Sequence, residues 1–223
     1  MKIAISGKMG SGKTYLADEI CQRFDFKRAS FAGKLKSLAE ELFNMKYKDR
    51  GLLINFATKM REIDKDVWIR AMFKSIENTE NVVIDDLRLK NEHQTLMLEG
   101  WFICKINVDE NERINRLISK YGKKSKEHFE HSDSITENDV VNMEDNRFNF
   151  VINKHSDYEE LYNIIENKLK AQNYKKLRKT FYPHETPELE RADGDSVGSK
   201  EDLKLGSDSE QDDRWAYRRS EWE

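Results

Sequence analysis

Gly7-Lys8-Met9-Gly10-Ser11-Gly12-Lys13-Thr14 satisfies the pattern G-x-x-x-x-G-K-[ST], directly after the apolar Ile3-Ala4-Ile5 and just before an apolar helical stripe. Glycines at this spacing let the backbone wrap so that successive N–H groups face inward, and the start of the following helix adds positive potential. The result is a cradle for a polyphosphate, with Gly7, Lys8, Gly10, Ser11 and Gly12 forming its wall. Lys13 is placed to reach the β- and γ-phosphates of ATP, and the Thr14 hydroxyl to help hold Mg²⁺. Such a loop names the donor and leaves the acceptor open, because motors, switches, transporters and kinases share it.

Two further clusters bear on the acceptor. At Val82-Val83-Ile84-Asp85-Asp86-Leu87-Arg88 an apolar strand ends in two carboxylates and an arginine, where ligands gather in an open sheet. Asp85 or Asp86 is the expected acidic partner of the phosphate loop, with Asp85 assigned to the metal directly or through water. Arg88 is the expected clamp on an acceptor phosphate, since its planar fork suits bidentate binding. Farther on, Arg113 and Arg116 stand three apart on one helix face and could span donor and acceptor phosphates, supplying the preorganised positive charge that phosphoryl transfer requires. Tyr121-Gly122-Lys123-Lys124-Ser125-Lys126 suits a flap that excludes water. Together these features point to a small-molecule kinase.

The elements that must position these residues alternate strand and helix, which favours a parallel sheet covered on both faces. Strands are expected at Ile3–Ile5, Phe26–Phe31, Val82–Ile84, Trp101–Val108 and Phe148–Ile152. The first helix carries Leu16, Ala17, Ile20, Cys21 and Phe24 on one face. A charged helical insertion follows from Lys34 to about Phe73. Ser156 and Glu159 have the spacing of a capping box that starts the last helix, with Leu161, Ile164, Ile165 and Leu169 on one side, and the folded part is expected to end near Gln172.

Composition narrows the class. The 223 residues hold 39 Lys plus Arg against 42 Asp plus Glu, a net charge of −3 that excludes a uniformly basic nucleic-acid coat. The forty residues from His184 onward hold 13 acidic and 6 basic residues, so an acidic tail is expected to be disordered, with Trp215, Tyr217 and Trp222 interrupting it. Cys21 and Cys104 lie in apolar stretches and form no disulfide framework, which suits a reducing, cytoplasmic setting. No apolar run reaches the length of a membrane span or a signal peptide. His128 and His131 lack the partners of a zinc site and read as loop residues.

At greater length the chain resembles the deoxynucleoside monophosphate kinases of phages and large DNA viruses. The likeness runs through the phosphate loop, Phe31-Ala32-Gly33-Lys34-Leu35-Lys36, Arg61 with Trp68-Ile69-Arg70, Asp86-Leu87-Arg88-Leu89-Lys90-Asn91-Glu92, Arg113 to Arg116, and Phe150-Val151-Ile152-Asn153. It covers residues 1 to about 170. Gly33-Lys34 replaces the family's acidic residue and proline, and His131-Ser132-Asp133-Ser134 blurs its H-x-S-E pattern.

The resemblance implies a P-loop kinase fold of class α/β, with a five-stranded parallel sheet in a domain over residues 1–172. An acceptor-binding insertion would span 34–78, a lid 113–135 and the tail 173–223. It implies a nucleoside monophosphate as partner and no nucleic acid or membrane. Phe31, Lys36, Arg61, Trp68, Asp85, Asp86 and Arg88 would bind that acceptor, and Lys13, Asp86, Arg88, Arg113 and Arg116 would act in transfer. A homodimer is compatible with this reading, and no partner is named for the tail. The rival readings are a kinase similar to phosphomevalonate kinase or dephospho-CoA kinase, and a weakly catalytic nucleotide-binding protein whose tail recruits a partner.

Overall fold

Five short parallel strands form the centre of the computed structural model, which describes residues 1–122 and 139–181. In chain order they are β1 (Lys2–Gly7), β2 (Lys27–Ala29), β3 (Val82–Ile84), β4 (Phe102–Ile106) and β5 (Phe150–Ile152). Their spatial order is β2-β3-β1-β4-β5, with Ile3 opposite Val83 on one side and Phe102 on the other. The chain leaves β1 toward β2 and β3 on one flank and later returns to place β4 and β5 on the other. That reversal opens a crevice at the carboxyl end of β1, the location where open α/β sheets bind ligands.

Successive side chains of β1 point to opposite faces, so one strand feeds two cores. Ile3 and Ile5 pack with Leu16 and Ile20 of α1 (Lys13–Phe24) and with Leu161 and Ile165 of α7 (Ser156–Phe181). Ala4, with Val82 and Ile84, faces Met72 of α4 (Val67–Ser75) and Leu96 of α5 (Lys90–Leu98). Helices thus cover both faces, as the alternating pattern predicts.

Between β2 and β3 the expected insertion is built from α2 (Ala32–Phe43), α3 (Arg50–Ile63) and α4. It has its own small core of Leu35, Ala39, Leu53, Ala57 and Trp68. Asp49 caps α3, accepting from Leu52 N at 2.9 Å. The remaining helix is α6 (Glu110–Tyr121), started by Asp109, which accepts from the amides of Asn111 and Glu112.

Besides shifts of one or two residues at the ends of β1, β4 and β5, three boundaries differ from the sequence expectation. The second strand stops at Ala29, because Ser30 and the amides of Phe31 and Ala32 turn toward Asp86 to begin α2. The spacing of Ser156 and Glu159 does not produce a capping box. Ser156 is already helical, and Asp157 accepts from the amides of Asn153 and Lys154 instead. Finally, α7 continues past Gln172 to Phe181, while the compact unit spans Met1–Leu177. Most of the expected lid, including Lys123 to Lys126, His128 and His131, lies outside the described residues, as does the tail from residue 182. Among the described residues no helix is long and apolar enough to cross a membrane.

Candidate active site

The phosphate loop takes the conformation its glycines allow. Gly10 and Gly12 have φ of +85° and +98°, the left-handed region in which other residues are strained. Gly10 is doubly required, since a Cβ there would lie 3.0 Å from Leu117 Cγ and 3.3 Å from Arg113 Cγ. Lys13 Nζ donates across the mouth of the loop to Gly7 O at 2.5 Å and Lys8 O at 2.9 Å. The ammonium is thereby held over the concave side of the backbone, where a polyphosphate would lie.

Helix α6 braces this loop from behind. Arg113 is only 4% exposed, donates to Met9 O at 3.0 Å and forms a bidentate pair with Glu110. Its hydrogen bonds hold the Glu110 carboxyl below the usual range, with Lys8 adding to the effect. Arg116 donates to Ser11 O at 3.3 Å and pairs with Glu112. The two arginines therefore divide. Arg113 is buried behind the loop as a positioning residue, whereas Arg116 lines the cleft in front of it.

The adjacent carboxylates after β3 divide in the same way. Asp85 Oδ2 accepts from Thr14 Oγ1 at 2.8 Å and also pairs with Arg28, which in turn holds Asp18. Asp86 turns to the other side and accepts from Ser30 Oγ at 2.6 Å, Phe31 N at 3.1 Å and Ala32 N at 3.0 Å. Asp85 thus meets the phosphate loop, while Asp86 fastens the first turn of the insertion. Two hard oxygen donors 2.8 Å apart beside the loop suit Mg²⁺, an ion usually held by one or two protein oxygens plus substrate phosphates. Among the described residues no group of three or more His, Cys, Asp or Glu is assembled for a metal held by protein alone.

One cleft of about 1440 Å³ joins the loop to the insertion. This exceeds the roughly 300–1,000 Å³ of a pocket for one small molecule, leaving room for donor and acceptor together. Lys13, Thr14 and Asp85 line it from the phosphate loop and the end of β3, and Lys36 and Arg61 from α2 and α3 of the insertion, with Arg88 from the loop after β3. Phe31 and Trp68 also border it, although they are 4% and 3% exposed and belong mainly to the two cores on that side. Trp68 Nε1 donates to Ala57 O, and its ring meets Phe56 edge-on at 5.9 Å.

Glu92 closes the Asp86–Glu92 segment and has no role assigned from the sequence. It is 3% exposed, borders the cleft, and accepts from Arg88 N and Leu89 N, both at 3.0 Å. Burial pushes its carboxyl up to about 7, against the pull of those amides and of Arg61. Burial also lowers the Arg61 guanidinium from its ordinary value, with Glu92 opposing. Lys48 and Arg50 were missed altogether, although both line the cleft. Leu89 has no side-chain acceptor to complete a capping box with Glu92, so the sequence carried no signal there, and the two cations lay in the charged run Lys46-Tyr47-Lys48-Asp49-Arg50.

No curated protein matches this sequence. Among solved structures, shikimate kinase from Bacteroides thetaiotaomicron is 18% identical, with 76% of this chain and 98% of that one covered and a TM-score of 0.48. A gluconokinase from Sinorhizobium meliloti 1021 is 15% identical, with 68% and 80% covered and a TM-score of 0.41. Shikimate kinase from Aquifex aeolicus vf5 is 16% identical, with 78% and 98% covered and a TM-score of 0.40. At this level of likeness none of them speaks to the substrate. Residues 3–139, which include the phosphate loop, the insertion and the Asp85-Asp86 turn, match the AAA domain family model. That match spans more than half of the chain, and the protein belongs to the AAA domain family.

Proposed function

We propose that the protein transfers the γ-phosphoryl group of ATP to the phosphate of a (deoxy)nucleoside 5′-monophosphate, giving ADP and the nucleoside diphosphate. The observation that carries this reading is one cleft lined both by the phosphate loop with its Thr14–Asp85 pair and by several cations of the insertion and of the loop after β3. A neutral acceptor would have no use for those cations. The resemblance in Asp86 to Glu92 and in Phe31 to Lys36 supports a nucleotide as the acceptor.

An acceptor phosphate is ionised at neutral pH, so one of its oxygens attacks without a strong general base. Positioning and charge neutralisation then supply most of the rate. Lys13 leaves the loop carbonyls to meet the β- and γ-phosphates, and Arg116 offsets charge on the transferred group. Thr14 and Asp85 would hold Mg²⁺, which when bound neutralises charge on the β- and γ-phosphate oxygens. Arg88 clamps the acceptor phosphate, and Asp86 acts at one remove by fixing α2. Arg113 likewise acts through the loop, since its guanidinium is committed to Met9 O and Glu110. A cytoplasmic setting accords with free Cys21 and Cys104.

The test is steady-state ADP release from Mg·ATP with a panel of deoxy- and ribonucleoside monophosphates, mevalonate 5-phosphate and dephospho-CoA. Stimulation of at least tenfold by a nucleoside monophosphate is expected. Stimulation confined to one of the other phosphorylated acceptors would replace the substrate while keeping the reaction, and ATP binding without any stimulation would overturn the enzyme reading.

A further inference from the structure

The loop after β3 and the first turn of α5 carry Asp86, Arg88, Asn91 and Glu92 within seven residues. Asp86 holds the first turn of α2, and Glu92 holds the amides of Arg88 and Leu89. Asn91 reaches farther. Its Nδ2 donates to Lys65 O at 3.3 Å and to Asp66 Oδ1 at 3.0 Å, in the turn that joins α3 to α4. A carbonyl and a carboxylate only accept, so the side-chain nitrogen with its two hydrogens is the group that can meet both. A carboxylate at position 91 could meet neither.

The turn that Asn91 grips is stiff. Asp64 closes α3 by donating its amide to Met60 O at 2.9 Å, and its own oxygens accept from Asp66 N at 3.0 Å, Val67 N at 3.2 Å and the Arg70 guanidinium. Trp68 Nε1 ties α4 back to α3 through Ala57 O. Arg61 lies in the last turn of α3, so a hold on the α3–α4 turn is a hold on Arg61. The other side of the joint is equally fixed. Besides the bonds to Glu92, Arg88 O accepts from Val140 N at 3.2 Å and Lys90 N donates to Asp139 Oδ2 at 2.8 Å. Arg61 and Arg88 both line the cleft, and each stands on a wall that is rigid in itself. Asn91 spans the two walls.

Resting on the phosphoryl-transfer reading, we propose that Asn91 is a positioning residue for the reaction, which ties the α3–α4 turn to the loop after β3 and so fixes the spacing of Arg61 and Arg88 around the acceptor. Asn91 is not among the residues lining the cleft, so it acts through those two arginines. A misplacement of about 1 Å can cost about a hundredfold in rate, which is why one hydrogen-bonded tie far from the reacting atoms matters. The phosphate loop, on the other side of β3, does not depend on this tie.

The test uses the full-length protein and the nucleoside monophosphate that most stimulates ADP release. In Asn91→Ala the acceptor KM should rise at least fivefold and the acceptor kcat/KM fall at least tenfold, while the KM for Mg·ATP stays within twofold. Asn91→Asp sets a second carboxylate against Asp66 and should be worse than Asn91→Ala. Adding Asp66→Asn to it reverses donor and acceptor, and should return the acceptor KM to within threefold of wild type. Gln94→Ala, at an exposed position of α5, should change neither constant. An acceptor KM unmoved in Asn91→Ala, equal losses toward both substrates, or a double variant no better than Asn91→Asp would overturn the proposal. Hydrogen exchange separates this failure from failure of the kinase reading. The amides of Asp66, Val67 and Arg70 should exchange at least tenfold faster in Asn91→Ala, with those of α1 unchanged. If no nucleoside monophosphate is turned over, the kinase reading falls, and the exchange rates still decide the tie: faster exchange at the turn keeps it, and unchanged exchange removes it.

Discussion

Glu92→Gln isolates the electrostatic cost of a carboxylate buried at the root of the cleft. Glu92 is 3% exposed, and its carboxyl is pushed from 4.5 up to about 7, chiefly by burial. A carboxyl raised in the folded state binds its proton more tightly there than in the unfolded chain. Its stabilising contribution is therefore fully present below pH 4.5 and is lost as pH rises through about 7. At 1.36 kcal/mol for each pH unit of difference, the fold loses about 2 kcal/mol from this one group between pH 5 and pH 8. Gln keeps the carbonyl that accepts from Arg88 N and Leu89 N but has no proton to lose. Urea unfolding at the two pH values should show the variant within about 1 kcal/mol of wild type at pH 5 and gaining on it by about 2 kcal/mol at pH 8. A difference in stability that does not change with pH would refute the reasoning.

Four other substitutions separate roles that lie close together. Lys13→Ala should reduce kcat at least a hundredfold while leaving the melting temperature within a few degrees, and near-normal turnover would remove the loop from the mechanism. Asp86→Ala strips the partners from Ser30 Oγ and the amides of Phe31 and Ala32, so unfolding by urea should show a loss of about 2 kcal/mol. Asp85→Asn should instead spare stability and raise the Mg²⁺ concentration for half-maximal rate about tenfold; the same profile from both aspartates would erase the distinction between them. Gly10→Ala places a methyl 3.0 Å from Leu117 Cγ at a φ of +85°, and ATP affinity measured by calorimetry should fall at least tenfold.

What the sequence revealed was what local chemistry determines. The phosphate loop depends on backbone freedom at Gly7, Gly10 and Gly12 within eight residues, and the strand and helix patterns around it are equally local. Asp85 and Asp86 were undecided because they are neighbours, and only the pleat separates them: one turns to Thr14, the other to the start of α2. Phe31 read as strand because nothing nearby shows that a carboxylate 55 residues later captures its amide. Ser156 looked like a cap, yet it lies inside the helix, and Asp157 one position on fastens the preceding turn through the amides of Asn153 and Lys154. The cations that line the cleft were not legible for a similar reason. Lys48 and Arg50 are ordinary charges on a polar insertion until the helices pack and set them along the cleft, and burial turns Glu92 into a carboxyl that titrates near neutrality.

The most direct test of the account is whether phosphorus moves from donor to acceptor. Full-length protein would be incubated with Mg²⁺, ATP labelled at the γ-phosphate and each nucleoside monophosphate in turn, and the products separated by chromatography. The account predicts label in the β-position of a nucleoside diphosphate, formed in step with ADP and absent when the acceptor is replaced by its unphosphorylated nucleoside. Label found only in inorganic phosphate, at a rate indifferent to the acceptor, would contradict it.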